Sequence, residues 1–344
     1  MRSCADVNTT LRSTQLSLAL LLGAALAACS DSTNEPIVER QPRVAITVFE
    51  GTRPILLAGD ASSSSRTRIH FTGVTDPIPD NLPGLIPSDE NLLALGAPSI
   101  SANCWRIAVV ATVAYDQSQI VVMNRNGSGS EVASINTQIV GSNPEWSLDG
   151  TKLAYTMSTK PNFGGLDLFV TNLTTHTVTR LTTDERLDLA AMRWSIDGSV
   201  IYYTRRRVST ASVPGEWVTD LVRINVATGA EQVVASGIVG NVTAISRAGT
   251  RVLLTRRVAT TGGDSTEALI ESTVGGSERT LVGSGAVWAR YLRDDTHAVI
   301  VQAAQAGTDS NQYVVMELAG KTTARISNVA GEAKVDACLD FAPD

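Results

Sequence analysis

The residues that most often catalyse reactions or bind metals are few in this sequence and far apart. Its three histidines, His70, His176 and His297, are not closely spaced, and no Cys-x-x-Cys or His-x-x-x-His pattern occurs, so we predict surface histidines and no metal site. Residues 262–266 read Gly-Gly-Asp-Ser-Thr and lack the final glycine of a hydrolase nucleophile elbow, which favours an ordinary turn. The sequence also lacks a glycine-rich phosphate loop. It therefore predicts a protein that has no cofactor and is not an enzyme.

One group of basic residues is a candidate site for an anion or a partner. Two basic runs each follow an apolar run, and four of their arginines occupy matching places in two copies of a repeat described below: Arg205, Arg206, Arg256 and Arg257. Guanidinium groups bind carboxylates and phosphates through two parallel hydrogen bonds. A ridge that pairs Arg205 with Arg256 and Arg206 with Arg257 would therefore bind an acidic partner. The alternative is solvated charge paired with nearby acids such as Glu216 or Asp264.

The N-terminal segment predicts export. Arg2 and Arg12 flank a polar stretch that leads into an apolar run over residues 16–28. This run is shorter than the ~20 residues of a membrane-spanning helix, and residues 1–28 have the features of a secretory signal peptide. The run ends in Leu-Ala-Ala-Cys and resembles a bacterial lipobox, which implies that Cys29 is lipidated and anchors the protein to a membrane. The alternative is ordinary cleavage that leaves Cys29 a free thiol.

The residues after Cys29 predict a location and a tether. In the lipoproteins that this leader resembles, aspartate at the next position favours the inner membrane, so Ser30 predicts the outer membrane, facing the periplasm. Residues 29–42 are polar and contain two prolines, which predicts a flexible tether. Residues 43–344 are long enough to bury a large core. The chain has 28 basic and 34 acidic residues and a net charge of −6, so we predict no nucleic-acid binding, which needs a basic face.

A repeat of roughly fifty residues organises the chain from residue 98 onwards. Its clearest copies combine a tryptophan, a serine and an Asp-Gly pair: Trp146, Ser147, Asp149 and Gly150 in one, and Trp194, Ser195, Asp197 and Gly198 in the next. Weaker copies have their anchor, the position of that serine, at residues 101, 246, 292 and 342. Apolar runs rich in β-branched and aromatic residues follow each anchor before the last, which indicates short antiparallel strands and an all-β protein.

The repeated residues have structural roles that follow from their chemistry. An aspartate side chain accepts a hydrogen bond from the backbone two residues on, and glycine tolerates positive φ, so we expect the Asp-Gly pairs to reverse the chain tightly between blades of the array. Tryptophan is large and amphipathic. We therefore expect both tryptophans to fill the core between neighbouring sheets without a ligand role.

These motifs resemble the WD40-like propeller repeat of the TolB family, whose consensus is roughly Trp-Ser-Pro-Asp-Gly, Lys-Ile-Ala-Phe, Asp-Ile-Tyr-Val-Met-Asn and Leu-Thr. Residues 119–204 match it most closely, and the pattern decays after residue 240, where Ile245 and Tyr291 replace the tryptophan. The resemblance implies a β-propeller. It also implies a non-enzymatic module that binds a protein or a cell-wall-associated partner.

Both ends of residues 43–344 are predicted to complete one blade. Phe341–Asp344 opens a repeat with no strands after it, whereas Arg43–Phe49 and Arg68–Phe71 read as strands that no motif opens. Joining them gives a ring of about six four-stranded blades that is closed by N- and C-terminal strands and has no exposed sheet edge at the join. Seven blades is the alternative, because residues 43–97 are irregular and include a proline-rich loop.

Two cysteines remain if Cys4 leaves with the leader and Cys29 carries lipid. Cys104 lies in the first copy of the repeat and Cys338 just before the last. Ring closure would bring their blades together, and a disulfide would then join the two ends in an oxidising compartment. Such a bond needs Cα atoms about 4.4–6.8 Å apart, and two buried free thiols are the alternative.

Two functions are compatible with these observations. The first is a lipid-anchored propeller of the cell envelope that acts as a scaffold and binds an envelope protein. The second is a carbohydrate-binding or polysaccharide-lyase-like propeller, whose sign would be a pair of carboxylates facing a central cleft. Fold alone does not determine function, and the missing catalytic set favours the first.

Overall fold

The computed structural model describes residues 42–339 except 64, 80, 82–85, 116, 136–139, 141–143, 159–164, 184–190, 209–216, 260–264, 305–309, 327–328 and 330–332. Within these described residues all regular structure is β, in six sheets that form the blades of a propeller. The predicted all-β, six-bladed fold is therefore confirmed.

The strands, in chain order, are β1 (Arg43–Glu50), β2 (Arg53–Asp60), β3 (Thr67–Ile69), β4 (Ala94–Leu95), β5 (Ser99–Ile100), β6 (Arg106–Ala114), β7 (Gln117–Asn124), β8 (Glu131–Val132), β9 (Glu145–Trp146), β10 (Lys152–Ser158), β11 (Leu166–Asn172), β12 (Thr177–Arg180), β13 (Met192–Trp194), β14 (Val200–Val208), β15 (Trp217–Asn225), β16 (Glu231–Ile238), β17 (Asn241–Ile245), β18 (Arg251–Ala259), β19 (Ser265–Thr273), β20 (Glu278–Val282), β21 (Ala286–Tyr291), β22 (His297–Gln302), β23 (Gln312–Glu317), β24 (Thr323–Arg325) and β25 (Lys334–Cys338).

Blades 3 to 6 are four-stranded antiparallel meanders: β9–β12, β13–β16, β17–β20 and β21–β24. In blade 2 the innermost strand is in two pieces, since β4 and β5 both pair with β6, and β7 and β8 follow. Blade 1 has the order β25-β1-β2-β3, so the last strand pairs with the first. Ala45 lies opposite Asp336 in this antiparallel pair. The ring is thus closed by both ends, as predicted, although Phe341–Asp344 lies outside the described residues.

Alternating side chains fill the spaces between blades. On β14, Ile201 and Tyr203 pack against blade 3, whereas Tyr202 packs against blade 5. Trp146 and Trp194 are buried between successive blades. Each indole Nε1 donates a hydrogen bond of 2.9 Å to a backbone carbonyl on the innermost strand of the preceding blade. Both tryptophans therefore join neighbouring blades through packing and through a polar contact.

The Asp-Gly turns lie within blades. Asp149 Oδ1 accepts a hydrogen bond from the Thr151 amide at 3.0 Å, and Asp197 Oδ1 accepts one from the Ser199 amide at 3.1 Å. These turns join β9 to β10 and β13 to β14. The expectation that they reverse the chain between blades is wrong, because the strand before each turn is the first strand of its own blade and the links between blades follow the fourth.

Each four-stranded blade has its connections at two ends. We call the end with the β9–β10 type of hairpin the turn face. The opposite end, which carries the second-to-third strand connections and the links between blades, is the loop face. The chain enters β1 at the turn face, because β1 is the second strand of its blade.

Candidate functional site: the axial cluster

Polar residues from all six blades meet at the inner strands and at the turns that follow them, near the turn face. We call this set the axial cluster: Ser99, Glu145, Arg193, Arg247, Arg290, Asp295 and Asp336. Six of its members line the same small cavity on the propeller axis. The seventh, Asp295, contacts Arg193 and Arg247 from the edge of the cluster. Inner strands normally present small or apolar residues to a packed interior, so this charge concentration needs a physical explanation.

Glu145 is the centre of the cluster. Its side chain is only 5% exposed, and its Oε1 lies 3.1 Å from Arg193 Nη1. Its other oxygen, Oε2, contacts Nη2 of Arg290, which lies on β21 of blade 6, across the axis from blade 3. Arg290 also donates to Ser99 Oγ at 3.0 Å. One carboxylate therefore connects blades 2, 3, 4 and 6.

Arg193 and Asp336 extend these connections around the ring. Arg193 Nη2 donates to the Leu292 carbonyl at 2.5 Å and to Asp295 Oδ1 at 3.1 Å, both in blade 6. Asp336, on the ring-closing strand, accepts a hydrogen bond of 2.8 Å from the Ile100 amide of blade 2. It also lies 3.6 Å from Arg290 Nη1. These contacts span the axis, so the cluster holds together blades that do not share an apolar interface.

The electrostatics of the cluster follow from burial and pairing. Burial alone would raise the pKa of Glu145, but the positive charges of Arg290 and Arg193 outweigh it and lower that pKa. Burial raises the pKa of Asp336, since Arg290 compensates its charge less fully. Burial, and then repulsion from Arg193, lowers the pKa of Arg247 to about 10. Glu145 is thus a bound anion, ill suited to give or take protons near neutral pH.

The cavity inside the cluster has a volume of about 20 Å³. A buried water needs roughly 10–15 Å³ of such volume, so the cavity holds one water-sized group and has no room for a sugar ring or a peptide. The two carboxylates that line it, Glu145 and Asp336, are both engaged by Arg290. Its geometry therefore suits a structural role or a very small ligand.

The predicted arginine ridge has a different geometry. Arg205 and its counterpart Arg256 each face the preceding blade. Arg205 therefore lies in the space between blades 3 and 4, whereas Arg256 lies in the space between blades 4 and 5. The two arginines that share one space, between blades 4 and 5, are Arg206 and Arg256. Arg206 donates to Asn241 Oδ1 at 2.7 Å, and Arg256 donates to the Val239 carbonyl at 3.0 Å. Arg257 is exposed. Equivalent positions recur one blade apart, which is why equivalent arginines do not pair.

Acidic residues of the same blades accompany these arginines. Arg205 Nε lies 3.7 Å from Asp220 Oδ2, and Arg256 makes two hydrogen bonds of 2.8 Å to Glu278. The acids named from sequence, Glu216 and Asp264, lie outside the described residues.

Cys104 and Cys338 form a disulfide with a Cα–Cα distance of 5.7 Å, while Cys29 lies outside the described residues. Cys104 has a φ of 58° at the position that glycine occupies in three other copies, as Gly150, Gly198 and Gly249. The bond attaches ring-closing β25 to blade 2. It therefore adds a covalent link at the join between the two chain ends.

The remaining predicted residues lie outside the cluster. His70 and His297 contact Asp89 and Asp294, and His176 is half-buried in the turn between β11 and β12. Among the described residues, no group of three or more metal-ligating side chains is placed to hold a metal ion. No helix in the described part of the chain is long and apolar enough to cross a membrane.

The axial cluster was not predicted from the sequence, although a signal for it exists. Ser99, Glu145, Arg193 and Arg290 each lie two residues before an anchor of the repeat. Reading down this position through the aligned copies shows polar residues inside otherwise apolar inner strands. Asp336 has the equivalent place in the strand register, because it lies opposite the third residue of β1 as Glu145 lies opposite the third residue of β10. It is, however, six residues before the anchor predicted at residue 342, and Arg247 occupies another position, so the repeat alone would not have found either residue.

Comparison with known proteins shows the fold. No family model matches the chain, and no curated protein matches its sequence. TolB from Acinetobacter baumannii is 16% identical, with a TM-score of 0.62 over 87% of this chain and 67% of that one. A structure described as a TolB from Agrobacterium tumefaciens is 14% identical, with a TM-score of 0.51 over 87% and 98% of the two chains. Oligogalacturonate lyase from Vibrio parahaemolyticus is 11% identical, with a TM-score of 0.53 over 81% and 76%.

At these identities the similarity establishes a shared propeller architecture and no more. The resemblance to TolB propellers that the repeat indicated is confirmed for the fold. A lyase with the same architecture shows that this fold also serves enzymes.

Proposed function

We propose that this protein is a lipid-anchored propeller of the cell envelope that binds an envelope protein through its loop face and has no catalytic activity. The leader over residues 1–28, followed by Cys29, supports the anchor, and Ser30 supports the outer-membrane location. The TolB-like fold supports an envelope role. The chain enters β1 at the turn face, which is the end opposite the loop face.

The observation that carries the proposal is a group of exposed apolar side chains at one end of adjacent blades. Phe49 is 60% exposed, Leu93 is 56% exposed and Tyr115 is 90% exposed. Phe49 and Tyr115 lie at the second-to-third strand hairpins of blades 1 and 2, and Leu93 precedes β4 of blade 2. All three therefore lie on the loop face. Aromatic residues are enriched where proteins bind each other, so we propose that this apolar rim contacts an apolar surface of the partner.

In-cell photocrosslinking tests this assignment. A photoreactive amino acid placed at residue 115 should give a discrete adduct with one protein, and Phe49→Ser should abolish it. Ile196 is the matched control, because it is 64% exposed on the opposite, turn face. Equal capture from both positions, or no protein adduct from residue 115, would contradict the proposal.

Two further variants test the lipid anchor and the role of the arginines. Cys29→Ala should release the protein into the soluble periplasmic fraction, and an unacylated variant that stays membrane-bound would remove the anchor. Reversal of Arg205, Arg206, Arg256 and Arg257 to glutamate tests the proposed role of these residues in binding an acidic part of the partner. Unchanged capture in that variant would remove them from the binding surface.

The carbohydrate alternative is favoured by one observation, the pair of carboxylates at the axis, Glu145 and Asp336. Their ion pairs with Arg290 and the cavity of about 20 Å³ argue against a sugar at this place. Retention of glycan in place of a protein in the crosslinking experiment would restore this reading.

A further inference from the structure

Two buried guanidinium donors in the axial cluster have no acceptor in the part of the chain that the structure describes. Arg193 Nε and Arg247 Nη1 are inaccessible to solvent, and neither has a hydrogen-bond partner among the described residues. Both residues are more than nine-tenths buried, at 4% and 6% exposure. A buried charged donor without an acceptor costs more than an ordinary lost hydrogen bond. Both side chains line the axial cavity, so a group inside it would satisfy them.

The charge around the cavity favours an anion. Four arginines and two carboxylates line it: Arg193, Arg247, Arg290, Arg293, Glu145 and Asp336. Asp295 adds a third carboxylate beside them and still leaves an excess of positive charge.

Two of these three carboxylates, Glu145 and Asp295, have both oxygens engaged, and Asp336 Oδ2 already accepts a hydrogen bond from the Ile100 amide. Both oxygens of Glu145 are bound by arginines, and both oxygens of Asp295 accept hydrogen bonds, from Arg193 Nη2 and from the Arg247 amide. The free donors are therefore the groups that face a ligand. Guanidinium N–H groups without an acceptor, in a site of excess positive charge, select an anion over a cation.

We propose that the axial cavity binds one monatomic halide anion, chloride in the cell, between Arg193 Nε and Arg247 Nη1. A volume of about 20 Å³ suits a single ion and excludes larger oxyanions. The site would offset the repulsion between Arg193 and Arg247, which contributes to the lowered pKa of Arg247. The anion thereby stabilises the meeting point of six blades.

Bromide identifies the site directly, because its anomalous scattering distinguishes it from water. Crystals of the full chain, purified in detergent and soaked in sodium bromide, should give one anomalous peak within hydrogen-bond distance of both donors. Water density without an anomalous peak at that position would overturn the proposal. This measurement needs no variant.

Unfolding in solution gives an independent readout. Full-length protein in sodium bromide or sodium chloride is compared with protein in sodium gluconate at equal ionic strength. At a halide concentration ten times the dissociation constant, the unfolding equilibrium constant should fall about 11-fold. Arg247→Gln should lose this dependence, and Arg206→Gln, which changes an exposed arginine on β14, should keep it. An equal halide response in both variants would overturn the proposal.

Discussion

Replacing Glu145 by glutamine should strongly destabilise the propeller. The side chain is 5% exposed and holds two guanidinium groups, with Arg193 Nη1 at 3.1 Å and Arg290 in direct contact. Glutamine keeps the shape but removes the charge and turns an amide donor towards one arginine. Removing one partner of a buried ion pair typically costs about 3–5 kcal/mol, because the remaining charge is left uncompensated. We expect a loss of about that size in the free energy of unfolding.

Urea unfolding of the full chain, followed by tryptophan fluorescence, measures this loss. Glu278→Gln is the matched control, since Glu278 also pairs with an arginine but its side chain is 41% exposed. Exposed pairs contribute about 0–1 kcal/mol. If folded Glu145→Gln loses no more stability than Glu278→Gln, the axial cluster does not hold the blades together and the reasoning fails.

The same substitution should change the pH dependence of stability. The pKa of Glu145 is below its ordinary value of 4.5 in the folded protein, because attraction from Arg290 and Arg193 outweighs the effect of burial. A depressed folded pKa contributes stability that is fully present above the unfolded pKa and is lost as pH falls through the folded pKa. Unfolding free energies measured from pH 6 downwards should therefore fall less steeply in Glu145→Gln than in the wild type.

Three further predictions concern the turns and the join of the ring. Reduction of Cys104–Cys338, whose sequence separation is 234, should lower the free energy of unfolding by up to about 5 kcal/mol in the chain-entropy model; urea unfolding with and without reductant measures it. Gly198→Ala and Gly249→Ala both place alanine at a φ of +67°, but only at residue 249 would the Cβ meet a tyrosine ring, at 2.2 Å. Gly198→Ala should lower the free energy of unfolding by about 1–2 kcal/mol, and Gly249→Ala should lower it clearly more. Equal losses in melting temperature would contradict this prediction. Asp197 has its pKa lowered to about 2 by hydrogen bonds, first from the hydroxyl of the serine two residues earlier, so NMR titration should find it ionised at pH 3 and Ser195→Ala should raise its pKa.

The architecture could be predicted because its determinants are local and repeated. Each Asp-Gly turn and each inner-strand tryptophan acts over a few residues or one blade, and both features recur at the two clearest anchors, Ser147 and Ser195. Joining the first and last strands then required only that no sheet edge be left exposed. The position of each turn within its blade was mistaken, since the repeat has no marker that separates a hairpin from a link between blades.

The site was harder to predict because its residues meet across the axis. Arg193 contacts Leu292 and Asp295, about a hundred positions later in the chain, and no local pattern connects them. The arginines at 205 and 256 were paired on sequence equivalence. Equivalent side chains face the same way in successive blades, so they lie in different spaces between sheets.

The axial cluster also explains why the repeat must be imperfect. If one charged residue occupied the same inner-strand position in all six blades, six like charges would converge on the axis. Their repulsion would be strong, because the effective dielectric constant of a buried site is low. The position two residues before the first five anchors instead holds Ser99, Glu145, Arg193, Ala244 and Arg290, so that opposite charges face each other across the axis. Asp336 on the closing strand supplies the carboxylate of the sixth blade. Divergence between copies at this position is therefore what allows a ring of similar blades to bury charge at its centre.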